Sequence, residues 1–204
     1  MYRHRGHRYI SLRKFDEAIA DYVIAAGLIE GKENEVEPDG MPNDKGIPVS
    51  TLHGNIWYHL GLAYYLKQDF VNAYKAYTNC RNSGSNPDNI VSSTHWLYMI
   101  QRRLGNEEIA NHMLEPIQDT MDIIENFAYH NLCRFYKGYV GSDDLLVGDG
   151  SAQDAVKYGL ANYEFYNGDR DLAKQKLEQI LDGSSWNSFG YIAAESDYQR
   201  YFQE

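Results

Sequence analysis

A helix–turn–helix pattern recurs along this chain of 204 residues and constrains the fold more than any other feature. It is clearest in WYHLGLAYYLKQDFVNAYKAY, residues 57–77. The first half places its large apolar residues on one helical face, at positions i, i+3, i+4 and i+7: Trp57, Leu60, Gly61 and Tyr64. After a break at 67–69 a second helical pattern follows: Phe70, Ala73, Tyr77 and Cys80. Small residues such as Gly61 and Ala73 mark where two helices approach closely.

The same design occurs in three other places. Near the start, Tyr2, Gly6 and Tyr9 stand at the corresponding spacings, before a turn at 12–14. A weaker copy turns at Gly105, and a late copy turns at Gly168. The 63-residue separation of these two glycines is close to two repeat lengths, so a degenerate repeat is predicted between them.

These residues resemble the tetratricopeptide repeat, whose pattern is W-x2-L-G-x2-Y followed by A-x3-F over about 34 residues. The copy that begins near residue 54 has the Trp, Leu, Gly, Tyr and Ala of this pattern, with Tyr77 in place of Phe. The first copy departs from it at Tyr2 and Arg5, and the later copies lose the glycine to Tyr98 and Ala161. The resemblance implies an all-α fold, a right-handed superhelical solenoid of antiparallel helix pairs with about ten to eleven helices.

We expect one array over residues 1–204 rather than separate domains. The repeats fall at about 1–30, 54–87, 91–121, 125–147 (the degenerate copy) and 153–184, with a closing helix at 186–203. Segment 31–51, rich in charge, glycine and proline, is an inserted loop that is either solvated or a flap over the groove. Because Tyr2 already occupies the aromatic position of the first repeat, we predict a fragment that lacks its natural N-terminus.

Composition excludes several classes of function. A net charge of −10 disfavours nucleic-acid binding, which needs clustered lysine and arginine. No apolar run is long enough for a membrane span, and no signal peptide is present. The two cysteines, Cys80 and Cys133, are far apart in sequence and fit helix-packing positions. The cytoplasm is slightly favoured as the compartment, and export stays open in case a signal peptide has been removed.

No catalytic, nucleotide-binding or metal-binding motif is present, so the sequence predicts a protein that is not an enzyme and uses no cofactor. His4 and His7 stand at helical spacing, but two ligands do not make a metal site. The acidic residues of 31–51 lack the spacing of a calcium loop.

A second face on the first helix of each repeat predicts where a partner binds. In a solenoid of helix pairs these first helices line the inner curve, and positions beside the packing face look into a concave groove. The predicted groove residues are Arg3, His7, Tyr58, Leu62, Tyr65, His95, Met99, Arg102, Tyr158, Asn162 and Phe165. Tyrosine and arginine are frequent among the residues that dominate interface affinity.

The leading hypothesis is a non-catalytic scaffold that binds a peptide or protein segment in this concave groove. The alternative is a sensor or receptor solenoid that holds a small ligand within a closed inner curve. Homo-oligomerisation through the N-terminal edge is a further expectation for the partners.

Overall fold

The computed structural model describes residues 1–37, 43, 45–145 and 151–203, with the side chains of 151 and 152 left aside. These residues form ten α-helices and one 3-10 turn at Asp143–Leu145. The helices are α1 Tyr2–Ser11, α2 Phe15–Ile29, α3 Leu52–Leu66, α4 Phe70–Asn82, α5 Pro87–Arg103, α6 Glu107–Met113, α7 Phe127–Tyr136, α8 Ser151–Asn167, α9 Arg170–Leu181 and α10 Phe189–Tyr201. The all-α prediction is confirmed, and consecutive helices pack as pairs.

Five helices, namely α1, α3, α5, α7 and α8, end in the same turn. In each, one residue with positive φ follows the helix: Arg13, Gln68, Gly105, Gly138 and Gly168. The next residue donates its backbone N–H to a carbonyl five positions earlier, as in Lys14 to Tyr9. This is the Schellman arrangement, which satisfies the last carbonyls of a helix. The shared turn marks these five helices as equivalent, and we call them and α10 the leading helices.

Glycine permits the closest helix contact in the first two pairs. A Cβ atom on Gly61 would lie 2.7 Å from the ring of Tyr77, and one on Gly6 would lie 2.7 Å from the ring of Tyr22. Real Cβ atoms do not approach other atoms so closely, so the two tyrosine rings occupy space that only glycine leaves. The sequence pattern therefore identified a true packing contact within each pair.

The segment predicted to be a degenerate repeat contains one α-helix and one short turn. Its first helix is α7, predicted over 125–137, and its second is reduced to the 3-10 turn at 143–145, while residues 146 and 147 lie outside the described residues. Leu145 packs with Leu132, Val156 and Leu160 in a small satellite core. This cluster joins α7 to α8 without a complete second helix.

The last helix, α10, contacts helices from both ends of the chain. α10 packs against α8 and α9, and it also contacts α3. Arg13 Nε donates to Glu195 at 2.5 Å, and Ser196 Oγ donates to the carbonyl of Leu66 at 2.6 Å. The closing helix predicted over 186–203 thus spans a shorter range and crosses the C-terminal ends of α1 and α3.

Described parts of segment 31–51 lie against the helices. The carboxylate of Glu37 accepts hydrogen bonds from Arg3 and Asn55, both at 2.6 Å. Val36 and Thr51 form an antiparallel bridge, and the amide of Asn86 donates to the carbonyl of Val49 at 3.0 Å. These contacts favour the flap over the solvated loop, while residues 38–42 and 44 lie outside the described residues.

None of the described helices combines the length and the hydropathy that a bilayer crossing requires.

Candidate functional site

The inner faces of the leading helices pack on one another. The hydroxyl of Tyr65 on α3 lies 2.7 Å from the hydroxyl of Tyr158 on α8, and the amide of Asn162 donates to Tyr65 at 3.2 Å. Trp96 on α5 stands edge-on to Tyr65, with ring centroids 4.9 Å apart. An open concave groove would need water between these side chains. Their direct contacts replace it with a packed interior.

A buried ion pair lies at one end of this interior. Arg103, the last residue of α5, binds the carboxylate of Asp197 on α10 through both terminal nitrogens, at 2.8 and 3.1 Å. The two side chains are 2% and 6% exposed. Burial by itself would lower the pKa of Arg103, but the charge of Asp197 raises it on balance and keeps the guanidinium charged. Tyr158 and Gln68 also donate to Asp197, at 2.9 and 3.0 Å, so the carboxylate is well satisfied.

The predicted exposure of the groove residues is wrong for six of the eleven. The buried ones are Leu62, Tyr65, His95, Met99, Tyr158 and Asn162. The remaining five are partly exposed: Arg3, His7, Tyr58, Arg102 and Phe165. Tyr65, Tyr158 and Asn162 contact one another directly, so no open groove separates α3 from α8 at these residues. The predicted role of these residues in partner binding stays a prediction.

One part of the inner surface remains open, where the N-terminal ends of the leading helices meet. We call this cavity of about 270 Å³ the inner pocket. It lies between α3, α5, α7 and the start of α10, with 49–51 at its rim. Its lining is Val49, Ser50, Thr51, Gly54, Asn55, Tyr58, His59, Cys80, Gly84, Asn86, Asp88, Asn89, Ser92, Glu125, Asn126, Tyr129 and Phe189.

Aromatic rings form much of the pocket wall. The centroid of His59 lies 5.4 Å from that of Tyr58 and 5.5 Å from that of Phe189, and both pairs meet edge to face. Tyr22 stacks behind His59 at 5.7 Å, with the two planes only 8° apart. Rings held on several sides keep fixed positions, so this wall is formed before any ligand arrives.

The helix N-termini around the pocket are already capped. Thr51 Oγ1 accepts from the N–H of Gly54 at 3.1 Å, and Asn86 Oδ1 accepts from the N–H of Asn89 at 2.8 Å. The carboxylate of Asp88 accepts three backbone N–H groups ahead of α7, from residues 124–126, at 2.7–3.0 Å. The N–H groups that most often bind anions at helix starts are therefore in use.

A chain of hydroxyl groups leaves one proton available at the pocket. Trp96 Nε1 donates to the hydroxyl of Tyr58 at 2.9 Å, and this hydroxyl lies 2.8 Å from that of Tyr129. Each tyrosine has one proton, and one of the two protons suffices for the bond between them. Burial raises the pKa of both tyrosines, so both are neutral at pH 7. The other proton can serve a ligand.

His59 presents a hydrogen-bond acceptor. Its Nδ1 lies 2.6 Å from the carbonyl of Asn55, which can only accept, so Nδ1 carries the proton. Burial lowers the pKa of His59 to about 3, so the ring is neutral at pH 7. Its Nε2 then keeps a lone pair.

The thiol at the pocket is not activated for reaction, and the described residues form no cluster of metal ligands. Burial raises the pKa of Cys80, on the pocket wall, to about 12. Its Sγ lies 3.6 Å from the carbonyl of Gly54. Among the described residues, no three His, Cys, Asp or Glu side chains are grouped so that they could hold a metal ion.

Sequence reasoning found Tyr58 but missed most of the pocket. On α3, Asn55 lies about one helical turn before Tyr58, and His59 is the residue after it. Tyr129 lies on α7 and Phe189 on α10. The sequence predicted α7 at nearly its observed bounds, but the position equivalent to Tyr58, ten residues before the turn residue, is Ala128, and Tyr129 is the next residue. Nothing in the repeat pattern indicates Phe189, because its place depends on the packing of α10 against α3, which is distant in the sequence.

A scan against protein-family models finds no family that matches the chain. A search of curated proteins finds no match either.

Proposed function

We propose that this chain is a non-catalytic binding protein, built as a closed array of the tetratricopeptide type, that holds a small ligand in the inner pocket. The carrying observation is the closure of the inner surface by the contact between Tyr65 and Tyr158, which leaves this pocket at its open end. This is the sensor or receptor alternative of the sequence analysis rather than the open peptide groove.

Size supports a small ligand. A volume of about 270 Å³ lies just below the range for ligand pockets, roughly 300–1,000 Å³, so only a small ligand fits. An extended or helical protein segment would need the space along α3 and α8 that Tyr65, Tyr158 and Asp197 fill. Binding there would break a buried ion pair, and the energetic cost of doing so is high.

The protonation states support binding without catalysis. A general base works best with a pKa near the operating pH, whereas His59 has a pKa of about 3. A cysteine nucleophile must ionise, whereas the pKa of Cys80 is about 12. Neutral, fixed groups of this kind suit hydrogen bonding and stacking.

The test is a fragment screen by two-dimensional NMR on the full chain. We expect hits whose shift changes centre on Asn55, His59, Tyr129 and Phe189. The variant Ser50→Tyr places a ring at the pocket rim and should abolish these changes. The matched control is Ser85→Tyr, because Ser85 is exposed, lies near α5 and does not line the pocket.

Two outcomes would overturn the proposed function. Hits that survive Ser50→Tyr would place binding elsewhere. A screen without any hit on the pocket of the wild-type chain would leave the pocket without a binding role.

A second candidate is association between two copies of the chain through what we call the N-terminal edge. This edge comprises Tyr2, Arg5, Tyr9 and Leu12 of α1 with its following turn, and Glu17, Asp21, Ile24 and Leu28 of α2. The specific observation is its exposed apolar surface, since Leu12 is 62% and Leu28 is 53% exposed. The opposite faces of both helices pack on α3, so this edge has no helix over it among the described residues.

A further inference from the structure

We infer that the inner pocket binds an organic cation, a protonated or quaternary ammonium group. This inference rests on the proposed function, since it names the ligand class for the same pocket. The lining contains two carboxylates, Asp88 and Glu125, and neither lysine nor arginine. Asp88 accepts three backbone N–H groups and Glu125 accepts from the amide of Asn43 at 2.6 Å, and these neutral partners leave a negative charge on each carboxylate beside an entering cation.

Anions are disfavoured because the groups that would receive them are occupied. The helix starts at Gly54 and Asn89 are capped by side chains, and the three N–H groups ahead of α7 bind Asp88. The guanidinium of Arg3, on the neighbouring helix α1, is paired with Glu37 at 2.6 Å. An anion would have to displace these contacts and lie beside two carboxylates.

The wall chemistry fits a cation in two ways. Aromatic rings attract ammonium groups through their negative faces, and the trio of Tyr58, His59 and Phe189 lies within 6.5 Å, centroid to centroid. His59 is neutral, so it adds no repulsion, and its Nε2 can accept from an N–H donor. Each of these groups is fixed by the fold rather than recruited by the ligand.

The ammonium group has two sources with the same chemistry. It can belong to a free small molecule, such as choline, or to a lysine or methylated lysine side chain at the surface of another protein. A pocket of about 270 Å³ holds either head group. Calorimetric titration of the full chain with choline and with the blocked amino acid trimethyl-lysine distinguishes the two sources.

The decisive comparison is between choline and its neutral isostere, in which a quaternary carbon replaces the nitrogen. Both have the same shape, so their difference measures charge alone. We expect choline to bind at least about tenfold more tightly, which corresponds to one cation–π contact of about 1.4 kcal/mol. Inorganic phosphate should not bind in the pocket.

Two variants separate the aromatic and the charge contributions. Phe189→Leu should weaken choline binding severalfold, while Phe127→Leu, on the exposed side of α7, is the control that should change nothing. Glu125→Gln should weaken choline binding but leave the affinity for the isostere unchanged, so the difference in affinity between the two compounds should become smaller. Circular dichroism confirms that each variant is folded.

The outcomes of the titrations separate the two proposals. Equal affinity for choline and its isostere, or preference for phosphate, overturns the cation inference while the pocket remains a binding site. Failure of both ammonium compounds to bind, together with a fragment screen that does place other compounds in the pocket, also overturns only the inference. Failure of every ligand overturns the proposed function as well.

Discussion

The hydroxyl groups of Tyr65 and Tyr158 lie 2.7 Å apart and join two helices that are separated by 93 positions in the sequence. This bond lies where the concave opening of a helix-pair array would be. Tyrosine suits the place because its ring fills the interior while its hydroxyl finds a polar partner. Asn162 and Asp197 supply further partners at 3.2 and 2.9 Å, so the closed interior contains a satisfied polar network.

The contact between Gly61 and Tyr77 gives a prediction about stability. Gly61→Ala adds a Cβ atom 2.7 Å from the tyrosine ring and should lower the free energy of unfolding by about 1–3 kcal/mol. Gly27→Ala is the matched control, because no atom lies within 4 Å of the new Cβ and alanine favours the helix by about 0.5–1 kcal/mol. Urea denaturation measures both. If the two variants changed the free energy of unfolding equally, α3 and α4 would not approach each other closely at Gly61.

The ion pair between Arg103 and Asp197 gives a second prediction. Asp197→Ala leaves the guanidinium buried without its counter-charge and should cost about 3–5 kcal/mol of the free energy of unfolding. The control is Asp16→Ala, which removes a pair with Lys67 whose side chains are 76% and 40% exposed, and should cost about 1 kcal/mol or less. Thermal or urea unfolding measures the difference. A cost for Asp197→Ala as small as that of the control would contradict the burial of the pair between Arg103 and Asp197.

Acid stability should depend on His95. Burial lowers the pKa of His95 to about 3 in the folded chain, compared with 6.5 for an ordinary histidine. Between these values the unfolded chain binds a proton that the folded chain refuses, so the free energy of unfolding falls as the pH falls. The slope from this residue is about 1.4 kcal/mol per pH unit.

His95→Phe keeps a ring in place and removes the titration. Its unfolding free energy should therefore change less between pH 6 and pH 4, roughly the window set by the two pKa values. His112→Gln is the control, because His112 is exposed beside Glu115. A variant His95→Phe with the full wild-type slope would mean that other groups cause the acid sensitivity.

The helix pairs could be predicted from the sequence, whereas the contacts that close the inner surface between α3, α8 and α10 could not. Helix positions follow from apolar spacing within 15 residues or so, which is local information. Closure depends on contacts such as that between Arg13 and Glu195, which are 182 positions apart. The turns predicted at 12–14 and 67–69 are present but lack the usual glycine, because Arg13 and Gln68 take the positive φ there, at a cost of about 1–2 kcal/mol each.

Arg13 and Gln68, the two non-glycine residues with positive φ at helix ends, both bind α10. The side chain of Arg13 binds Glu195, and that of Gln68 binds Asp197 and Tyr201, all on α10. Glycine would relieve the backbone strain but could not make these bonds. The two residues that depart from the turn rule are therefore among those that hold the last helix in place, together with Arg103.

The flap over the inner pocket should depend on Glu37. Its carboxylate joins Arg3 and Asn55, so Glu37→Ala should loosen the segment around residue 50. We expect faster hydrogen exchange at the backbone N–H groups of Glu37 and Leu52, which bind the carbonyls of Ser50 and Glu35. Glu35→Ala, at an exposed side chain, is the control. Equal exchange in both variants would mean that the carboxylate of Glu37 does not hold the flap.

Self-association through the N-terminal edge is the last prediction. Ile24 and Leu28 are 44% and 53% exposed on one face of α2, one turn apart, and burying such side chains against a second copy is favourable. The charges at the edge also complement each other across a two-fold axis, because α1 is basic and has no acidic residue, while Glu17 lies in the first turn of α2. In an antiparallel arrangement the basic helix of one copy faces the acidic end of the other.

We therefore expect a dimer in analytical ultracentrifugation at micromolar concentration. The double variant Ile24→Asp with Leu28→Asp should be a monomer with an unchanged helical signal, because both side chains point away from the interior. Val71→Asp is the matched control, since Val71 is 58% exposed on α4, away from this edge, and its variant should remain a dimer. Added salt should weaken the dimer, because the opposed charges of α1 and α2 are at the surface. A wild-type chain that stays monomeric at these concentrations would contradict the proposed association.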